Sequence, residues 1–148
     1  MRNSSQMKII AIAADHAGLP LKAALAEMLE RRGLRVLDLG TKDEASVDYP
    51  DFAESLARRL ESGEAQRGVL ICGSGIGMSI AANRHRAVRA ALCRDVESAR
   101  LARQHNDANV LCLGARLTPV EDAKACLEAF LETPFEGGRH ARRVAKMA

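Results

Sequence analysis

Cys72-Gly73-Ser74-Gly75-Ile76-Gly77 concentrates more chemistry than any other segment: a thiol, a hydroxyl and three glycines close the apolar run Val69-Leu70-Ile71-Cys72. Glycines let a backbone turn tightly and present successive N–H groups to an anion. A helix starting there adds the positive end of its dipole. A cysteine beside such amides is expected to favour its thiolate, which acts as a nucleophile or a base. The same spacing also fits a strand-end cysteine that only packs. The loop is not a dinucleotide fingerprint, because Met78 follows Gly77 and the third glycine of G-x-G-x-x-G is missing; nor does it carry the Gly-Lys-Ser/Thr of a Walker A loop.

Four histidines are the other reactive side chains. His16 follows Asp15 at a strand end, His105 precedes Asn106, His140 sits in the basic tail, and His85 lies between Arg84 and Arg86. No H-x-x-x-H is present and the cysteines are scattered, so no metal centre is expected. His85 reads as a solvated loop residue, whereas His16 and His140 are suited to a phosphate. The tail from Arg139 to Lys146 is strongly cationic. It fits a small phosphate, an acidic partner or nucleic acid, and equally a solvated basic helix.

These groups need a scaffold, and the chain is long enough for one. Its 148 residues, 47% hydrophobic and 28% charged, describe a globular domain with a real core. Aromatics make up only 3%, which argues against base-stacking surfaces for nucleic acid. No apolar run is long enough to span a bilayer, and the start of the chain has no signal-type apolar segment. The cysteines lack C-x-x-C spacing and three lie in apolar runs, so a reducing, cytoplasmic setting is expected.

Short apolar runs alternate with helical patterns. Strands are expected at Ile9–Ala14, Val36–Leu39, Val69–Cys72, Arg89–Cys93 and Val110–Leu113. Helix stops are expected at Gly33, Gly63 and Thr133-Pro134, with Pro50 and Asp95 as helix starts. Thr118-Pro119-Val120-Glu121 has the form of a capping box. About five apolar strands alternating with helices imply a single doubly wound, three-layer α/β/α sandwich of Rossmann-like type with parallel strands. Ligands in such sheets sit beyond the carboxyl ends of the strands, which directs attention to Asp15-His16 and to Cys72 onward. Residues 1–7 read as a flexible extension and residues 8–148 as the one domain.

Several motifs then resemble one family. Asp15-His16-Ala17-Gly18, Asp48-Tyr49-Pro50, the Cys72–Gly77 loop with Ala81-Ala82-Asn83, Arg103-Gln104-His105-Asn106-Asp107, Gly114-Ala115-Arg116, and Phe135-Glu136-Gly137-Gly138-Arg139-His140 with Arg143 are similar to B-type ribose-5-phosphate isomerases, in order and spacing. Any one of these motifs is ordinary; together they are specific, and they run from about Lys8 to the C-terminus.

The resemblance implies an aldose–ketose isomerase working through an enediolate, with no metal or organic cofactor and a small phosphorylated sugar as ligand. It implies Cys72 as base and Ser74, standing where the family often has threonine, as a proton relay between O1 and O2. The amides of Gly73, Gly75, Ile76 and Gly77 would line the anion hole. His105 would open the furanose ring, with Asp15 at the sugar hydroxyls. His16, Arg116, Arg139 and Arg143 would hold the phosphate, and Tyr49 and Asn106 would touch the sugar. Six-carbon sugar phosphates are an alternative substrate, and a nucleotide-binding regulatory module an alternative of another class.

The expected topology adds one inference. A right-handed β-α-β unit returns its helix to the amino edge of the sheet, so His105 should lie there. Cys72 should lie at the carboxyl edge, about 17 Å away for a strand of ordinary length. A joint site then needs a second copy of the chain, in agreement with the shared sites that the resemblance implies for a homodimer or a tetramer, without nucleic acid or membrane as partner.

Overall fold

Three of the strands have no polar face at all, and they become the buried centre of the sheet. The computed structural model describes residues 8–148; the extension expected over residues 1–7 lies outside them. In chain order the elements are β1 (Ile9–Ala14), α1 (Leu19–Arg31), β2 (Arg35–Asp38), α2 (Tyr49–Glu61), β3 (Arg67–Cys72) and α3 (Ile76–Ala82). They continue with β4 (Ala90–Leu92), α4 (Val96–Asn106), β5 (Val110–Gly114), α5 (Val120–Glu132) and α6 (Arg139–Ala145). A 3-10 turn, His16–Gly18, links β1 to α1.

The sheet is parallel throughout, in the order β2-β1-β3-β5-β4. β1, β3 and β5 are buried nearly end to end, while the edge strands β2 and β4 are half-buried or exposed. Alternate side chains feed two cores. Ile10, Ile12, Val69, Ile71, Leu111 and Leu113 pack under α1, α4 and α5. Ala11, Ala13, Leu70, Cys72, Val110 and Cys112 pack under α2 and α3. This division follows from handedness: α1 and α4 carry the chain one way along the sheet, α2 and α3 the other, and right-handed crossovers must then use opposite faces.

The chain therefore reverses direction between β1 and β3, and the crevice at their carboxyl ends is the switch point of the fold. β1 and β3 are in register from Ile10↔Arg67 to Ala14↔Ile71, so Asp15 and Cys72 leave the sheet at the same level.

Most helix boundaries follow the punctuation. Gly33 and Gly63 take φ of +82° and +80° past the ends of α1 and α2. Asp95 caps α4, its Oδ1 accepting from the Ser98 amide at 2.8 Å. The capping box at Thr118 does not form. Pro119 takes the N-cap position with no side-chain cap, so α5 starts one residue later than expected and the Thr118 hydroxyl is buried without a partner among the described residues. β4 is shorter than expected, because Arg89 and Cys93 fall outside its ladder with β5. β2 is set one residue earlier, at Arg35–Asp38.

Candidate active site

Cys72 ends β3 at the switch point, 4% exposed, and the Gly75 amide donates to its Sγ at 3.2 Å. Gly75 makes that possible by taking φ of +82°, and a Cβ there would meet Leu92 Cδ1 at 2.6 Å. The Ser74 Oγ accepts from the Ile76 amide at 3.2 Å. Two of the cradle amides thus already serve the thiol and the hydroxyl, which fixes both reactive groups on one loop.

The neighbouring loops close around it. Ala115 and Arg116 amides donate to the Cys72 and Gly73 carbonyls, each at 2.9 Å, clasping the segment after β5 to the cradle. The Arg116 guanidinium lies across Gly73: a Cβ on that glycine would stand 3.1 Å from Nη1. The Tyr49 ring, at the first turn of α2, lies against Gly77, so any side chain there would collide with it. Asp15 is buried, and its Oδ1 accepts from the Ala17 and Gly18 amides at 3.0 and 3.3 Å. His16 Nδ1 accepts from the Val47 amide at 3.2 Å, which places the neutral ring's proton on Nε2, as a donor suited to an anion. The carboxyl edge therefore brings Asp15, His16, Tyr49, Cys72, Ser74 and Arg116 together.

His105, Asn106, Arg139 and Arg143 are elsewhere. α4 runs back to the amino edge so that β5 can start there, and His105 and Asn106 form its last turn. The buried Arg103 locks that turn, donating to Asp107 Oδ1 at 2.8 Å, to the Ala108 carbonyl at 2.7 Å and to the Thr133 carbonyl at 3.1 Å. The Glu136 amide donates to the Gln104 carbonyl at 3.1 Å, so the segment leading into α6 is stitched to the end of α4. Arg139 and Arg143 stay exposed on α6. One chain does not unite the two groups.

Two histidines differ from their expected settings. His85 is not solvated: its ring sits between two acids of α2, with Nδ1 2.9 Å from Glu61 and Nε2 3.4 Å from Glu54. His140 is buried and stacks on His105, with ring centroids 4.3 Å apart and 13° between planes. Glu136 Oε1 lies 3.6 Å from His140 Nε2 and 3.9 Å from His105 Nε2. Glu136 has no role in the sequence reading, and because it precedes α6 its four-residue spacing to His140 is not a helical pairing signal.

His105, Glu136 and His140 carry ligand atoms within 4.8 Å of one another and are a group chemically able to bind a metal. Their nearly parallel rings, however, aim in-plane lone pairs side by side rather than at one point. Proton sharing suits them better than coordination.

Burial, the neighbouring His105 and Arg139 lower the pKa of His140 below the ordinary 6.5, Arg143 adds to that, and Glu136 opposes it. Between the lowered value and 6.5 the unfolded chain binds more protons than the native one, so stability rises with pH across that window. Acidifying from just above 6.5 should therefore weaken the fold, and His140→Phe should flatten that slope in urea titrations at stepped pH. Burial likewise pushes the Cys93, Cys112 and Cys126 thiols up, Cys126 to about 11, and leaves those three as packing groups.

A doubly wound sheet with a thiol at its switch point, backbone donors beside it and the Arg116 guanidinium across its loop has the form of an enzyme site for a small anionic metabolite. The chain belongs to the Ribose/Galactose Isomerase family, which matches residues 10–147. It is similar to ribose-5-phosphate isomerase B of Escherichia coli, 46% identical over 93% of both chains. Among solved structures it is similar to a ribose 5-phosphate isomerase from Thermotoga maritima, with TM-score 0.93 and 51% identity over 96% of this chain and 98% of that one. The ribose-5-phosphate isomerase B of Mycoplasma genitalium with bound ribulose-5-phosphate gives TM-score 0.90 and 43% identity over 96% and 95%.

Proposed function

We propose that this protein interconverts ribose 5-phosphate and ribulose 5-phosphate through an enediolate, with Cys72 as the base. The observation that carries the reading is the buried Cys72 sulfur, held by the Gly75 amide at the switch point of a fold shared with ribose-5-phosphate isomerases. Moving a proton between C2 and C1 needs a base, a group to shift the hydroxyl proton and donors for the developing oxyanion. Cys72, the Ser74 hydroxyl and the cradle amides supply these in turn. His16 and Arg116 offer donors for a phosphate beside them, joined by Arg139 and Arg143, and Asp15, Tyr49 and Asn106 contact the sugar.

His105 opens the furanose ring in this reading, and it does so in a homodimer. The exposed Ile76 and Ile80, one turn apart on α3, with Leu92 beside Gly75, form an apolar rim around the cradle that a second chain would cover. That second chain would bring its own His105, Arg139 and Arg143. The described residues contain no helix long and apolar enough to cross a membrane, and four free cysteines suit a reducing cytoplasm.

The family's description also covers galactose isomerases, so substrate choice is tested directly. Turnover of ribose 5-phosphate is expected to exceed that of allose 6-phosphate and galactose 6-phosphate. With the reaction run in deuterium oxide, solvent deuterium is expected at the carbon that receives the proton. A preferred six-carbon substrate would reassign the sugar; turnover by direct hydride shift, without exchange, would remove the thiolate mechanism.

A further inference from the structure

The amino-edge cluster holds more than the ring-opening reaction would require of a lone histidine. The His105 side chain is 40% exposed, yet one face of it is covered by the His140 ring, and one carboxylate stands within ion-pair reach of both imidazoles. Two imidazolium rings stacked at 4.3 Å would repel, and Arg139 and Arg143 add further positive charge nearby on α6. The single Glu136 carboxylate can balance only one of the rings. Glu136 stands slightly nearer His140, at 3.6 Å against 3.9 Å from His105, but His140 is buried and lies on the cationic helix itself, and those surroundings disfavour its charged form.

We propose that Glu136 is a positioning residue for His105, its carboxylate keeping the one transferable proton on that ring, while neutral His140 is the flat support that fixes the ring's orientation. This rests on the ring-opening reading of His105. In that step the His105 imidazolium gives its proton to the furanose oxygen as the C1–O4 bond breaks. The electron pair of that bond goes to O4, the C1 hydroxyl loses its proton to water, and C1 becomes the aldehyde carbon. Solvent then reprotonates His105 beside Glu136. An isolated imidazole on an exposed helix end would drop that proton more readily and would sample many rotamers. Glu136 and the His140 plate remove both losses together.

The geometry of the backbone supports the assignment. The Glu136 amide donates to the Gln104 carbonyl, one residue before His105, so acid and carboxylate are held by the same stitch. Arg103 secures the other side of that turn through Asp107 and Thr133. The arrangement is thus set by backbone and part-buried contacts, although the Glu136 side chain itself is exposed.

The test separates ring opening from enolisation. Ribulose 5-phosphate cannot close a furanose, because its O5 carries the phosphate, so exchange of its C1 hydrogen with deuterium oxide bypasses His105. Glu136→Gln is expected to lower ribose 5-phosphate conversion roughly ten- to a hundredfold, within the range that general acids contribute. It should leave C1 exchange within about twofold of the unaltered protein, a split that a merely structural defect does not produce. His140→Phe keeps the flat support and should stay within about threefold on both measures, whereas His140→Lys should behave like Glu136→Gln. Glu136→Gln lowering both measures equally, or neither, overturns the proposal. His105→Ala run beside it shows which layer fails: without a split there, the ring-opening reading itself falls.

Discussion

Cys72→Ser is expected to lower ribose 5-phosphate turnover by at least roughly a thousandfold while substrate affinity changes only a few-fold, the pattern of a group needed in the transition state rather than for binding. The serine oxygen fits the same space, and the Gly75 amide that now donates to sulfur at 3.2 Å can donate to it. What changes is the acid–base chemistry. A hydroxyl stays protonated at neutral pH and cannot take a carbon-bound hydrogen, whereas a thiol gives a usable thiolate. The remaining thiols offer no substitute, since Cys93, Cys112 and Cys126 are buried and held protonated. Initial rates and a direct binding titration check the two halves of this result. Unaltered turnover would take the base role from Cys72.

Arg116, Tyr49 and His16 explain why affinity should survive. The substitution leaves the clasp between Arg116 and Gly73, the Tyr49 ring over Gly77 and the His16 ring beside Val47 untouched. In the proposed reading, binding and proton abstraction are therefore carried by different groups on adjacent loops. That separation follows from the fold: β3 supplies the reactive thiol, and the turns after β1 and β5 supply the surroundings at one edge.

The parts of this arrangement that depend on local pattern were readable from the chain alone. Buried strands with no polar face announce themselves as continuous apolar runs, as β1, β3 and β5 do. Gly33, Gly63 and Asp95 mark helix ends because the backbone or cap chemistry at those positions is local. Handedness alone also sent His105 to the amino edge. Other features rest on partners far along the chain. β5 inserts between β3 and β4, and no spacing rule states which neighbour an edge strand takes. His85 finds Glu61 at 24 residues' separation, and Glu136 meets His105 only because the segment after α5 folds back along α4. Thr118 shows the opposite failure: a well-formed local signal lost when Pro119 took the cap and the threonine turned inward.

An equal mixture of two inactive proteins, Cys72→Ala and His105→Ala, should recover about one quarter of the unaltered activity once subunits have exchanged. Cys72 closes β3 at the carboxyl edge and His105 closes α4 at the amino edge, so within a chain they are separated by on the order of 17 Å of sheet. If each site takes its thiol from one chain and its imidazole from the other, random pairing puts half the molecules in mixed dimers. Each mixed dimer then holds one fully intact site and one doubly altered site. Exchange is verified by mass-labelled subunits, and activity is read against the same total protein. A mixture that stays as inactive as its components after exchange would mean that each chain completes its own site. The apolar rim of Ile76, Ile80 and Leu92 would then have to be explained by something other than a partner bringing His105 to Cys72.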